Sequence, residues 1–587
     1  MSLLQKLSAV TGEAFAAEGL PAEMGHVRVS DRPDLAQFQC NGAMSAAKTA
    51  KKNPRAVAEA IVARLKDNPL FSKIEIAGPG FINLNVTDDV LSAFLKDNAK
   101  DGRYGFASFG AGETMVLDYG GPNVAKAMHV GHLRPCIIGD ALRRMALFAG
   151  YKAIGDVHLG DWGTPMGMII SALEMLHPDW PYFDADFKGE YPKESPVTMA
   201  DLEQIYPKAS AACKEDPARM DAARRATMEL QDGRAGYRAL WKHFVAVSIA
   251  GIKVNYDALG VHFDLWKGEA DVHDLIAPMV QDLEKRGFAV KDDGATIVPI
   301  KKNDDEKEFP PLILYKRDGA VMYGTTDLAT IVERVQLYHP SKIVYVVDQR
   351  QSLHFEQVFR AARLSGIAPD AIELTHAGFG TMNGADGKPF KTRAGGVMRL
   401  EDMIEMATEA ARTQMKEAGV AQDADAAEQE RIANQVAVAA IKFADLQNQR
   451  QSDYIFDLNR FTSFEGKTGP YLQYQAVRVK SLLKKAEAQN DQSSEYLIVN
   501  DENRALALLL SELPEALALS LRNYTPHVLC DHVYRLANAF SSFYGNCHIL
   551  SEPDAGIRAN RLRLCRMVME QLVLVLDLLG IVVPERM

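Results

Sequence analysis

The sequence predicts a multidomain α/β protein, with an open parallel-sheet domain carrying an insertion, a small α+β domain before it and an all-α domain after it. Three observations support this. A chain of 587 residues, 47% of them apolar, is too long for one core and rich enough for several. Strand-like and helix-like periodicities alternate through the middle of the chain, and beyond Met398 the pattern is helical almost to the end.

Residues 1–108 read as the α+β domain. Ala43 to Lys66 has helical patterning, and DNPLFSKIEIAGPGFINLNV (Asp67 to Val86) alternates with period two around a turn-forming GPG. Lys48, Lys51, Lys52 and Arg55 cluster near Asn41, and a solvated helix face explains them at least as well as a binding surface does. Residues 109–397 read as the sheet domain: Thr114 to Leu117 suits a buried strand, about Gly131 to Gly150 a helix, and Lys152 to Val157 a second strand. A parallel crossover of this kind brings the loops at the strands' carboxyl ends to one edge, where open α/β sheets bind ligands. The HVGH loop (129–132) and the GDWG loop (160–163) should therefore be neighbours. A polar, aromatic-rich passage and then helices, from residue 176 to about 300, read as an insertion. Strand-like runs return at Ala320–Tyr323, Ile343–Val347 and Leu374–Gly380 to supply the second half of the sheet. Residues 398–463 read as connecting helices and 464–587 as a helical bundle.

Composition excludes several classes. A formal charge of −11 argues against indiscriminate nucleic-acid binding but leaves room for a local basic face. No apolar run reaches the ~20 residues that cross a bilayer, and MSLLQKLSAVTGEAF lacks the three regions of a signal peptide, so the cytoplasm is the expected location. Six cysteines without any CxxC suggest neither a disulfide framework nor a zinc site.

The most informative stretch is DYGGPNVAKAMHVGHLRP (Asp118 to Pro135). It joins a strand to a helix start, where unpaired N–H groups and a partial positive charge favour phosphate. His129 and His132 stand three residues apart, on one face as the helix begins, and Gly131 between them lets a flat ring approach the backbone. The same pair also suits surface histidines or two metal ligands, although no nearby Cys or Glu completes a metal set. Lys388, Lys391 and Arg393 in the basic loop DGKPFKTRAGG can grip a triphosphate or simply be solvated. Tyr471, Tyr474 and Arg478 suit stacking on bases, although tyrosines at helical spacing are usually core residues of a bundle.

Six segments in order, PNVAKAMHVGHLRP, HLGDWGT, YGTTDLA, VVDQRQSLHFEQV, DGKPFKTRAGG and FEGKTGPYLQY, resemble class I aminoacyl-tRNA synthetases, specifically arginyl-tRNA synthetases. The resemblance spans essentially the whole chain. It implies a Rossmann-like catalytic domain, an N-terminal domain touching the tRNA elbow and a C-terminal anticodon-binding domain. It also implies activation of L-arginine with ATP and Mg²⁺, transfer to tRNA(Arg), and a monomer without zinc. His129, Gly131 and His132 match the first class signature. The second, usually KMSKS, is degenerate at Phe390 to Arg393, a departure for which Lys126 is thought to compensate; Lys388 and Lys391 are secondary candidates. By the same comparison Asp327, Tyr323 and Glu269 match residues that hold the guanidinium, Asn123 and Gln351 those that hold the α-amino and carboxylate groups, and Asp118 an acidic position in the pocket. Phe38, Gln39 and Asn41 are carried over to the tRNA elbow. The rival readings are an HxGH nucleotidyltransferase that uses no tRNA, which needs neither flanking domain, and a non-catalytic RNA-binding relative, which has no physical reason to keep Lys126 and both histidines.

Overall fold

The computed structural model describes residues 1–302, 305, 309–317, 319–384, 386–388, 398–487 and 495–587. Two compact units divide the chain: residues 1–108 together with 464–587, and residues 109–463.

The chain begins with α1 (Leu3–Ala17), started by Ser2 and Gln5, each side chain accepting from the other's backbone N–H. Strands β1 (Val27–Val29), β2 (Phe38–Cys40), β3 (Phe71–Ala77) and β4 (Phe81–Val86) form an antiparallel sheet in the order β1-β2-β4-β3. Helices α2 (Gly42–Ala50), α3 (Pro54–Leu65) and α4 (Asp88–Asn98) complete this part. Period-two alternation along β2 buries Phe38 and Cys40 and turns Gln39 the other way. Phe38 is therefore a core residue, 2% exposed, and not the RNA contact expected of it. The Gln39 amide donates to Asn83 Oδ1 (2.9 Å), and Asn41 Oδ1 is buried with no hydrogen-bond partner.

In the second unit, β5 (Thr114–Tyr119), α5 (Leu133–Phe148) and β6 (Lys152–Asp156) form the expected parallel crossover, followed by α6 (Thr164–Leu176). The insertion contributes α7 (Met199–Glu215), α8 (Pro217–Gln231) and α9 (Ala235–Leu259). The chain is back beside β6 at Leu265 and Gly268, which make parallel bridges to Asp156 and Leu159, earlier than the sequence suggests. After α10 (His273–Lys285), β7 (Val290–Asp292), β8 (Ala295–Val298) and β9 (Leu312–Tyr315) make a separate antiparallel sheet. Ala320–Tyr323 is not a strand of the main sheet. Val321 folds back on Tyr315, and Tyr323 opens α11 (Tyr323–Tyr338), because the helical pattern that follows outweighs a four-residue β-like run. The main sheet is completed by β10 (Lys342–Val346), α12 (Ser352–Leu364) and β11 (Glu373–His376), in the all-parallel order β11-β10-β5-β6. The chain moves from β5 to one side and later places β10 on the other, so the crevice between their carboxyl ends is a topological switch point. Two-residue strands β12 (Met382–Asn383) and β13 (Tyr454–Ile455) pair around α13 (Leu400–Ala418) and α14 (Ala426–Leu446), and α15 (Leu458–Phe461) closes the unit.

The chain ends in four helices, α16 (Gly469–Ala486), α17 (Asp501–Arg522), α18 (Pro526–Asn546) and α19 (Ala555–Leu578). They share a unit with residues 1–108 through direct contacts. Arg504 of α17 donates to the Val86 carbonyl (2.5 Å) and pairs with Asp88, and the buried Tyr104 hydroxyl donates to Glu570 Oε2 (3.1 Å). Tyr471 donates its hydroxyl to Asn538 Oδ1 (2.8 Å), whereas Tyr474 is 39% exposed and the Arg478 guanidinium stacks 4.1 Å from the Tyr544 ring.

Phe38→Ala should lower stability by about 3 to 5 kcal/mol, the range for truncating a buried aromatic. Chemical denaturation followed by circular dichroism checks this, and an unchanged midpoint would contradict the buried placement.

Candidate active site at the switch point

At the carboxyl ends of β5 and β10 lies a cavity of about 410 Å³, lined by Asp118 to Gly121, His129 to His132, Val346 to Asp348, Gln351 and Phe379 to Met382. Its histidines are fixed by their own backbone. His129 Nδ1 accepts from the Gly131 N–H (3.1 Å), and His132 Nδ1 accepts from the His129 N–H (3.1 Å). With both Nδ1 atoms accepting, the neutral rings carry their protons on Nε2 and can donate from there. Burial, and next the charge of Lys126, lower the pKa of His129; burial and then His129 bring that of His132 to about 3. Both are therefore neutral hydrogen-bond donors at physiological pH. They do not stack along a helix as the spacing suggests: His129 is extended and caps a single 3-10 turn (Val130–His132), and the rings lie 4.0 Å apart, tilted by 39°. Gly131 is needed because a Cβ there would lie 2.8 Å from the His129 ring, so the space above it is filled from within the loop.

The expected neighbour of this loop is in place, and a second segment joins it. Val124 N–H donates to the Gly160 carbonyl (3.0 Å), joining the HVGH and GDWG segments. Val130 N–H donates to Met398 and Leu400 N–H to Met128, so the chain just past the basic loop is laced to the histidine turn. Within that loop, Lys388 is exposed in a turn whose N–H bonds to Asp386, while Phe390, Lys391 and Arg393 lie outside the described residues.

Beside the cavity is a concentration of buried charge. Arg334, on α11, places one Nη2 2.6 Å from Asp118 Oδ2 and 2.7 Å from Asp156 Oδ2, and all three residues are buried. Asp118, expected to face the amino-acid substrate, thus has one oxygen committed to Arg334. Burial pushes Asp118 up; against the same cost, Arg334 and His158 hold Asp156 below its ordinary value. Among the described residues, Asp118, Asp156 and His158 are the one trio with metal-ligand spacing, and the Arg334 guanidinium already supplies the positive charge there. Asp161 and Glu269 are also within electrostatic reach of His158. Burial raises Asp161 to about 6 and Glu269 to about 7, and Asp161 and Asp327 add to the Glu269 shift. Asp327 Oδ2 lies 2.5 Å from His354 Nε2, and that bond raises His354. Tyr323 is 65% exposed at the start of α11, one turn before Asp327, and Asn123 and Gln351 are exposed.

Lys126 is not at the cavity wall. Its ammonium lies 4.7 Å from the centre of the Tyr206 ring on α7, beside an adjoining cleft that also receives Glu203 and Arg399. Sequence reasoning missed Arg334, Asp161, His158, His354 and Tyr206. His158 and Asp161 lie in the HLGDWGT segment just past β6, a position that is itself a signal; Arg334 and His354 on α11 and α12, and Tyr206 on α7, carry none.

Glu269 gives a test independent of any ligand. Its raised pKa means that stability is intact below the unfolded value near 4.5 and is lost as pH rises through about 7. Glu269→Gln should therefore stabilise the free protein at pH 8 relative to pH 5, by up to about 3 kcal/mol, read as a widening difference in melting temperature.

Comparison with known proteins accounts for the whole chain. The family model for the class I (R) tRNA synthetase catalytic domain matches residues 96–458, that for the DALR anticodon binding domain 472–587, and that for the arginyl tRNA synthetase N-terminal domain 2–86. An arginine--tRNA ligase of Hyphomonas neptunium is 51% identical over 589 residues, and one of Maricaulis maris 50% over 587, each covering 100% of both chains. Two solved structures share the fold: arginyl-tRNA synthetase of Plasmodium falciparum (TM-score 0.82, 23% identity, 100% of this chain and 99% of that one) and of Thermus thermophilus (0.80, 22%, 100% of both).

Proposed function

The chain belongs to the class I arginyl-tRNA synthetases, and on that premise we propose how its residues divide the reaction between them. Its activity is arginine–tRNA ligation: arginine is activated with ATP to the adenylate and transferred to the terminal ribose of tRNA. The observation that carries the residue assignment is the meeting, at one switch point, of two neutral imidazole donors and a group of buried carboxylates.

ATP, entering with Mg²⁺ as co-substrate, lies in the 410 Å³ cavity with its phosphates toward Nε2–H of His129 and His132. Neutral donors stabilise the charge that builds on the α-phosphate without a proton transfer, and the attacking arginine carboxylate needs no general base. Lys126, three residues before His129, supplies the cation that the degenerate second signature lacks, and Lys388 adds to it from the basic loop. Asn123 and Gln351 hold the α-amino and carboxylate ends. Asp327, Glu269 and the Tyr323 hydroxyl receive the guanidinium, with Asp118 completing the acidic wall. A planar fork of five donors matches such a set, whereas lysine offers a single point charge. Rejection by binding alone then suffices, and no editing domain is required. For tRNA, Gln39, Asn41 and the exposed Lys48, Lys51 and Lys52 serve the elbow, and Tyr474 and Arg478 the anticodon. The enzyme acts as a monomer in the cytoplasm, a reducing compartment that suits six buried cysteines.

ATP–pyrophosphate exchange, run with each amino acid and with and without tRNA(Arg), tests the reading; exchange supported by an amino acid other than arginine overturns it. Asp327→Ala should cost ~2 to 5 kcal/mol in kcat/KM for arginine, the range for removing one partner of a desolvated charge pair. Arginine affinity should rise as pH increases toward and past 7, because Glu269 must ionise to receive the guanidinium, with proton release measurable by calorimetry in buffers of different ionisation heat.

A further inference from the structure

We propose that Tyr206 is a positioning residue for adenylate formation: its ring holds the Lys126 ammonium away from the nucleotide cavity until the phosphates of ATP draw it across. The inference rests on the assignment of Lys126 to phosphate.

Three observations lead to it. Lys126 leaves the backbone only three residues before His129, yet its ammonium sits 4.7 Å over Tyr206 and borders the adjoining cleft, while His129, Gly131 and His132 line the nucleotide cavity. Its charge still reaches both histidines, which places it near the phosphate site without being in it. And α7, which carries Tyr206, is anchored where the contact needs it. Thr198 and Asp201 form a reciprocal cap at its start, and Glu203 pairs with Arg399 (3.6 Å), the residue whose backbone bridges His129.

A half-buried ring face is a suitable temporary seat for an ammonium. The attraction shifts an equilibrium by a factor of about 2 to 30, enough to hold a flexible lysine and little beside the pull of a polyphosphate. No backbone movement is required, since rotation about the side-chain bonds of Lys126 is sufficient. Tyr206 also lies within electrostatic reach of Tyr323.

The test is ATP–pyrophosphate exchange with arginine and tRNA(Arg), comparing wild type, Tyr206→Leu, Tyr206→Phe, Lys126→Ala and the Lys126→Ala/Tyr206→Leu double variant. Tyr206→Leu removes the seat and should lower KM for ATP about two- to tenfold with little change in kcat. Tyr206→Phe keeps the ring face and should restore the wild-type KM. In the Lys126→Ala background, Tyr206→Leu should have no further effect. An ATP KM that is unchanged or raised in Tyr206→Leu, or an equal shift with Lys126 absent, overturns the role of Tyr206 while leaving that of Lys126. Exchange insensitive to Lys126→Ala has a different signature and overturns both.

Discussion

One guanidinium holds the catalytic unit's site together. Arg334 reaches from the middle of α11 to Asp118 at the end of β5 and Asp156 at the end of β6, so one helix and two strands are pinned at the point where the loops leave. Two acids and a base buried this deeply cost a large desolvation, and the geometry must repay it: removal of one member leaves a charge with no counterpart, whereas the intact set specifies a single arrangement. Because Tyr323 and Asp327 lie on the same helix, Arg334 sets their height and rotation against the histidine turn. The placement of these two side chains is thus inherited from an ion cluster at the strand ends.

The histidine turn has an equally economical origin. Its two rings are held by the N–H groups that a helix start leaves unpaired, so the loop uses its own orphan donors to choose the tautomer of its side chains. Proton position, ring orientation and the requirement for glycine at 131 then follow from one short segment. Backbone bonds from Val130 to Met398 and from Leu400 to Met128 add the link to the chain just past the basic loop, far away in sequence.

Much of this was legible in the sequence, for identifiable reasons. The β5–α5–β6 crossover, the neighbouring loops and the helical end are written in periodicity, which reports which face of each element is buried. Phe38 shows the limit of that logic applied carelessly: the alternation that defines β2 also dictates an inward Phe38, and a surface role needed the opposite parity. Ala320–Tyr323 failed differently, since four β-like residues carry too little weight against sixteen helical ones beginning at Tyr323. Arg334, His354 and Tyr206 were invisible because each matters through a partner brought close only by folding. Asp118 and Lys126 were visible as types, but their engagement with Arg334 and Tyr206 was not.

The union of residues 1–108 with 464–587 makes the catalytic unit a guest within a host whose two halves are the ends of the chain. During synthesis the guest emerges whole and can fold at once, from contacts confined to its own stretch of sequence. The host must wait, because the Val86 carbonyl, Asp88 and Tyr104 meet Arg504 and Glu570 only after more than 350 intervening residues have been made. Helix α19 therefore finishes what residues 1–108 begin, and a chain stopped before it keeps the residues of the catalytic unit but leaves the other unit incomplete.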